Sequence, residues 1–310
     1  MKDQHIIVLM GGPSKEADVS RRTGHAIAEA LQSLDYTVTE LELHPATVVE
    51  DIRKLGGDIV FNAIHGKFGE DGALQGVLEM AGIPYTGSGV MTQAVGMNKN
   101  ISKAVFKGAK VPTARSESYN GNVQSAEEIE VDILKHFSFP VVVKAATQGS
   151  SIGVTIAKNQ DELTVAIKDS LQYDPILVVE EYLDGREFTV SLLNGKALPV
   201  IEIRPHSGEY DYKSKYTSGA TDYLVPAPIS PELTKRMQDI GEQVYKLVQA
   251  SGTIRVDIMT NSNDECFVLE YNTIPGMTAT SLVPKAAKES GMEFSELCQT
   301  ILQSAGLNKF

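Results

Sequence analysis

At 310 residues the chain exceeds one average domain, and its 42% hydrophobic and 22% charged residues are the balance of a globular protein, which excludes disorder, collagen-like repeats and coiled coil. Its 40 acidic against 28 basic residues leave a net charge of -12, and with no basic stripe to offset it a nucleic-acid partner is excluded. Any anionic ligand must therefore be held by a few focused cations or by metal ions.

The longest apolar runs, such as Ile6 to Met10 and Val141 to Val143, fall far short of the ~20 residues a membrane span needs, so no membrane partner is expected. Met1-Lys2-Asp3-Gln4-His5 runs straight into a strand-like segment and leaves no room for a signal peptide, which makes a cytoplasmic address the expectation. Cys266 and Cys298 match neither a metal-ligand spacing nor a redox pair and read as reduced thiols.

Ile6 to Met10 ends at Gly11-Gly12-Pro13, and Val19, Thr23, Ala26/Ile27, Ala30/Leu31 and Leu34 then recur at helical spacing. A strand, a tight turn and a helix are predicted. Further strands at Val38 to Leu43 and Ile59 to Ile64 continue a parallel α/β unit to about residue 95. The turn lacks the G-x-G-x-x-G spacing, so a nicotinamide reading falls. It does carry Glu16 at a helix start, near the sheet edge where ligands of such folds sit, although residue type alone favours a capping role. His65-Gly66-Lys67-Phe68-Gly69-Glu70-Asp71-Gly72 opens at the same edge. A lone histidine is more often a surface or core residue than a ligand. Beside Glu16 the two readings balance.

Helical texture from Val95 to Ala109 is followed by strands at Val141 to Lys144, Ile152 to Ile156 and Ile176 to Glu180, with a helix at Asp161 to Leu171, a second mixed unit. Lys144 to Gly153 places a lysine at a strand end and then a small-residue turn whose N–H groups and hydroxyls suit a phosphate. A plain hairpin explains these residues equally well. G-x-x-x-x-G-K-[ST] does not occur, which argues against a P-loop enzyme.

The third unit reads as strands at Phe188 to Leu193, Leu198 to Ile203, Ile254 to Met259 and Phe267 to Glu270, a helix at Pro231 to Ala250 and a helical tail from Ser295. Pro205 to Pro228 lacks periodicity and exceeds the ~12–15 residues beyond which a structureless loop is usually functional or disordered. Its four tyrosines favour a lid over disorder. Arg255 and Asp257 share one face of a strand, and Glu270 and Asn272 share one face of the next. If these strands pair, two carboxylates and an amide oxygen meet, hard ligands of the kind Mg²⁺ takes when it also bridges phosphates. A salt bridge from Arg255 would account for one acid and leave the other unexplained.

Gly11 to Glu16, His65 to Gly72, Gln148 to Gly153, Lys215-Tyr216, Arg255-x-Asp257 and Glu270 to Thr278, in this order, resemble the D-alanine–D-alanine ligases of the ATP-grasp superfamily. The resemblance runs from about Ile6 to the final helix. It implies an α/β and α+β chain: an ATP-grasp fold preceded by a Rossmann-like parallel α/β domain. The divisions would be 1–95, facing the substrate; 96–184, binding ATP; and 185–310, with a lid at 205–228 and the Mg site. The implied reaction joins two D-alanines through an acyl phosphate, using ATP and two Mg²⁺ ions, with Mn²⁺ as a substitute, in a homodimer.

By the same resemblance Lys99, Lys144 and Ser151 contact the ATP phosphates and Lys215 the γ-phosphate. Glu180 and Glu187 contact adenine and ribose, and the backbone of Glu181 and Leu183 forms the adenine-facing hinge. Asp257, Glu270 and Asn272 are the metal ligands; Glu16, Val19 and His65 form the first D-alanine site, and Ser281 and Leu282 the second. Glu16, Ser150 and Tyr216 make a hydrogen-bonded triad, and Arg255 with the N–H of Gly276 an oxyanion site. Asn98 and Gln148 stand where many relatives carry acids, and neither removes a contact. The alternative within the superfamily is a ligase taking D-serine or D-lactate as second substrate, and Tyr216 favours the amide over the ester.

Overall fold

The computed structural model describes residues 2–149, 152–207, 217 and 219–309. Three sheets organise them. In the first, β1 (His5–Met10) lies between β2 (Thr37–Glu42) and β3 (Ile59–Asn62), all parallel. Its central strand is apolar at every position after His5 because both faces are covered. Ile6 and Val8 pack with α1 (Ala17–Gln32), while Ile7 and Leu9 pack against α2 (Val48–Lys54) and α3 (Ala73–Ala81). β3 stops two residues earlier than its apolar run because the Asn62 carboxamide accepts the Ile64 N–H at 3.0 Å and turns the chain.

The expected helix from Val95 is two helices, α4 (Val90–Met97) and α5 (Lys99–Gly108). Asn98 breaks them: its backbone is extended and its side chain caps α5 by accepting the Ile101 N–H. The second sheet has the order β4-β7-β5-β6, from β4 (Ser116–Asn120), β5 (Val141–Ala145), β6 (Val154–Ala157) and β7 (Ile176–Glu181), all neighbours antiparallel. It packs on α6 (Ala126–His136) and α7 (Gln160–Ser170). Neither β4 nor α6 was expected, although Ser125 and Glu128 form a capping box at the start of α6.

The third sheet is built on β8 (Glu187–Leu193), with β9 (Lys196–Ala197), β10 (Ile201–Pro205) and β11 (Thr221–Leu224) to one side and β12 (Thr253–Thr260) and β13 (Cys266–Asn272) to the other, in the order β11-β10-β8-β12-β13. β11 lies inside the stretch read as a structureless lid and pairs with β10, Thr221 opposite Pro205. Phe188, Val190, Leu192, Ile254, Val256 and Ile258 turn one face of this sheet onto α8 (Pro231–Leu247). Of their alternates, Glu187, Asp257 and Met259 face the second sheet, while Leu193 joins the core of the first.

Two further helices, α9 (Leu282–Glu289) and α10 (Phe294–Gln303), return to the first sheet: Leu282, Val283, Leu297 and Ile301 share one core with Ile6, Val8, Ile27 and Leu31. The segment after α10 continues there, with Gly306 bridged to Tyr85 and the Lys309 ammonium donating to the Tyr85 and Gly87 carbonyls at 2.7 and 2.8 Å. Among the described residues no helix is long and apolar enough to cross a membrane.

The crossing from the second sheet to the third is tight. A Cβ on Gly185 would lie 2.2 Å from the Thr260 carbonyl oxygen, and backbone there cannot yield as a side chain does. Gly185→Ala is expected to destabilise the protein by about 1–3 kcal/mol in urea unfolding, as overpacking typically does.

Candidate active site

Between the second and third sheets lies a cleft of about 610 Å³. Val142, Lys144, Val154, Ile156 and Glu180 line one wall, and Glu187, Ile203, Asp257, Met259 and Glu270 the other. Strand alternation explains most of this, since the partners of these residues, such as Val141, Val143 and Val256, are buried in the cores behind. β13 needs one irregularity. Cys266 and Val268 face the core, so strict alternation would send Glu270 there too. Instead Asp257 pairs with Glu270 while Ile258 pairs with Val268, which leaves Leu269 as an extra residue, a β-bulge. The bulge shifts the phase of the strand. Tyr271 thereby joins the core, and Glu270 and Asn272 face the side of Asp257 and Arg255.

In that corner Asp257 receives Arg255 bidentately at 2.8 and 2.8 Å, the Thr189 hydroxyl at 2.7 Å and the Asn272 amide at 2.9 Å. The Lys99 ammonium lies 3.2 Å from Glu270 and donates to the Gln148 carbonyl at 2.7 Å. Both acids therefore stand beside cations. Two carboxylates and an amide at paired strand positions suit a hard divalent ion, which would take oxygen donors of this kind.

On the opposite wall Glu180 is 2% exposed, with Lys144 3.0 Å and Lys103 3.2 Å from its two oxygens. Burial would raise the Glu180 carboxyl, but Lys144 and Lys103 together hold it below the ordinary carboxylate value. Glu181 accepts the Arg115 N–H on its carboxylate at 2.7 Å and lines the cleft beside Leu183 and Glu187. At the far end Glu202 is clasped bidentately by Arg204 at 2.7 and 3.0 Å. Asp174 accepts the N–H and hydroxyl of Thr147 and anchors the base of the turn that follows β5.

A second cluster adjoins that turn. Glu16 at the start of α1 lies between two loops: a Cβ on Gly66 would come within 2.9 Å of its carboxylate and one on Gly149 within 3.6 Å. His65 is buried against the Thr23 hydroxyl at 3.0 Å, and the Ile274 backbone bonds both His65 and Glu70. Burial lowers His65 below its ordinary value, with Glu16 opposing. Desolvation, reinforced by the Glu16 charge, pushes the Glu70 carboxyl from 4.5 up to about 8, although Gly66 donates to it at 2.6 Å.

Ser281, the residue before α9, accepts the Thr278 N–H on its hydroxyl at 3.1 Å, and a Cβ on Gly276 would lie 2.9 Å from that hydroxyl. The Leu282 side chain belongs to the first core, so a ligand at this position would meet its main chain. Val19 is half-buried on α1, one turn after Glu16. Ser150, Ser151, Lys215 and Tyr216 lie outside the described residues.

Lys103, Glu70, Asp174 and the Glu202–Arg204 pair were missed by sequence reasoning. A signal existed for two: Lys103 follows Lys99 by one helical turn, and Glu202-x-Arg204 has the same i, i+2 pattern as Arg255-x-Asp257.

Comparison with known proteins finds relatives along nearly the whole chain. Residues 44–88 match the family model described as the D-ala D-ala ligase N-terminus, and residues 107–303 match the one described as the D-ala D-ala ligase C-terminus. A D-alanine–D-alanine ligase from Moorella thermoacetica is 42% identical over 97% of this chain and 98% of its own. The structure of a Bacillus anthracis D-alanine–D-alanine ligase complexed with ATP superposes with a TM-score of 0.85 at 33% identity, covering 97% of each chain. A D-Ala:D-Ser ligase from Enterococcus faecalis gives 0.83 at 27% identity, over 97% of this chain and 98% of that one.

The raised Glu70 carboxyl has a consequence for stability. Its folded value of about 8 lies above the ordinary 4.5, so the folded state holds a proton that the unfolded chain has lost. Its contribution is fully present below pH 4.5 and lost as pH rises towards 8. Denaturant unfolding of Glu70→Gln is expected to fall less than the parent between these limits; parallel curves would show that Glu70 titrates normally.

Proposed function

The chain belongs to the D-alanine–D-alanine ligase family, and on that premise we propose that it joins two D-alanines into D-alanyl-D-alanine, a precursor for peptidoglycan, converting ATP to ADP and phosphate. The observation that carries this reading is the cleft between the two sheets, with lysines on one wall, paired acids on the other, and the Glu16–His65 cluster adjoining one end. Its chemistry requires these parts. A carboxylate and an amine do not condense in water, so one must first be activated.

ATP would lie in the cleft, its base against the main chain of Glu181 and Leu183 and beside Glu180, its ribose at Glu187 and its phosphates at Lys99 and Lys144. Asp257, Glu270 and Asn272 would hold two Mg²⁺ ions, for which Mn²⁺ can substitute, and the bound ions would supply the positive charge that phosphoryl transfer needs. Ser151 and Lys215 complete the phosphate contacts in this proposal.

The first D-alanine is held at Glu16, Val19 and His65, and its carboxylate oxygen attacks the γ-phosphorus as ADP leaves, forming D-alanyl phosphate. The second sits at Ser281 and the Leu282 main chain, and its free amine attacks the acyl carbon. Arg255 and the Gly276 N–H meet the charge on the tetrahedral oxygen before phosphate departs. Glu16, Ser150 and Tyr216 would tie the first unit to the lid at 205–228, which excludes water from the acyl phosphate. Units 1–95, 96–184 and 185–310 then divide the work as substrate, nucleotide and metal-bearing parts, and a cytoplasmic homodimer fits this role. The curated relatives at 40–43% identity over nearly the whole chain are D-alanine–D-alanine ligases, which supports D-alanine as second substrate over D-serine or D-lactate.

Purified protein with ATP, Mg²⁺ and D-alanine is expected to release phosphate and form the dipeptide, detected by mass. Turnover only with D-serine or D-lactate present would move the substrate, and silence with every pair would refute the ligase reading. Arg255→Ala is expected to keep ATP affinity while turnover drops about 10²–10³-fold, the typical loss for an oxyanion donor. Unchanged turnover would remove Arg255 from the reaction.

A further inference from the structure

Lys103 lies on the same face of α5 as Lys99, one turn further on, yet it does not line the cleft. Its side chain is 2% exposed. The ammonium sits 3.2 Å from Glu180 Oε1 and donates at 2.8 Å to the Thr113 hydroxyl, which in turn donates to the Val268 carbonyl at 2.8 Å. Lys144 reaches the other oxygen of Glu180 at 3.0 Å, but it is 12% exposed and lines the cleft.

One buried carboxylate therefore has two cations, one more than neutralising it requires. The second is not there for stability alone, because a buried ammonium loses its hydration; burial lowers Lys103 below the ordinary lysine value, with Glu180 opposing. The two lysines differ in freedom: Lys103 is enclosed and fixed on two sides, while Lys144 faces open space. If Lys144 turns to an anion in the cleft, Glu180 is left with whatever stands behind it. A buried carboxylate stripped of its sole partner is a large penalty, and ligand binding would have to overcome it.

We propose that Lys103 is a positioning residue for the nucleotide: the permanent counter-ion of Glu180, which frees Lys144 to exchange that carboxylate for a nucleotide phosphate. This rests on the cleft being the ATP site. Lys103 touches no ligand and acts through Glu180 and Lys144. Its effect is therefore specific to ligands carrying phosphate, which a merely structural lysine would not produce.

Calorimetric binding of ATP, ADP and adenosine to the full chain tests it, with Lys103→Met, Glu180→Gln and the double variant beside the parent. Lys103→Met is expected to weaken ATP and ADP about 10–100-fold and adenosine less than about threefold, the range for losing a buried charged partner. KM for ATP should rise in step, with KM for D-alanine unchanged. The double variant should bind ATP as tightly as Glu180→Gln alone, because no carboxylate is then left to hold Lys144 and any lost contact to the base is common to both.

Equal losses for ATP and adenosine, no loss at all, or a double variant that binds ATP about tenfold or more weakly than Glu180→Gln alone would each overturn the proposal. Should Lys103→Met fail to fold, the double variant, which buries neither charge, is compared with Glu180→Gln alone. Equal ATP affinity supports the proposal, and a further loss of about tenfold or more refutes it. A parent that binds no nucleotide would instead refute the reading of the cleft itself.

Discussion

The cleft depends on one surplus residue in its last strand. Leu269 is the bulge that lets β13 bury Cys266, Val268 and Tyr271 behind the sheet and still send Glu270 and Asn272 to the other side. Without that phase shift Glu270 would enter an apolar core, where an unpaired carboxylate is costly, and Asp257 would face the cleft alone. The backbone irregularity and the chemistry of the corner are thus one feature. It also sets register: Glu270 lies opposite Asp257 and Asn272 opposite Arg255, which brings both acids, the amide and the guanidinium to one corner, where Arg255 and Asn272 both bond Asp257.

A chain of net charge -12 needs focused cations to receive a polyanion, and here each cation already has an acid. Lys99 stands beside Glu270, Arg255 on Asp257, Lys144 and Lys103 on Glu180. This keeps opposite charges paired in a poorly solvated space before any ligand enters. Binding under the proposed function is consequently an exchange of partners rather than the filling of an empty site. Such exchange favours ligands that bring both negative charge and a metal ion, since each half then replaces what the other displaces.

The first sheet is tied to this centre from two sides. Its core is shared with α9 and α10, and the chain after β13 passes over its carboxyl edge, where Ile274 bonds His65 and Glu70. Tyr271 donates to the Thr92 carbonyl at 2.9 Å, so α4 is fixed to the same strand that carries Glu270. Acids from the first sheet's edge and cations from the third sheet thus meet within one network, which is how Glu16 and Arg255 both bear on Glu70.

Much of this could be read without coordinates, because it is local. The apolar run of β1, the helical spacing of α1 and the i, i+2 placement of Arg255 with Asp257 are encoded within a few residues, and the ordered motifs carried the family. β4 could not be read: Ser116-Glu117-Ser118-Tyr119-Asn120 has little apolar pattern and is a strand because it pairs with β7. Nor could the bulge at Leu269, which exists through pairing with β12, or the stretch at β11, which β10 makes into a strand. Lys103 looked like any solvated helix lysine until the fold closed over it and placed Glu180 3.2 Å away. Local pattern settles which face a residue shares with its neighbours; burial, pairing phase and the partner of a charge come from distant segments, and these physical terms arise when the sheets pack.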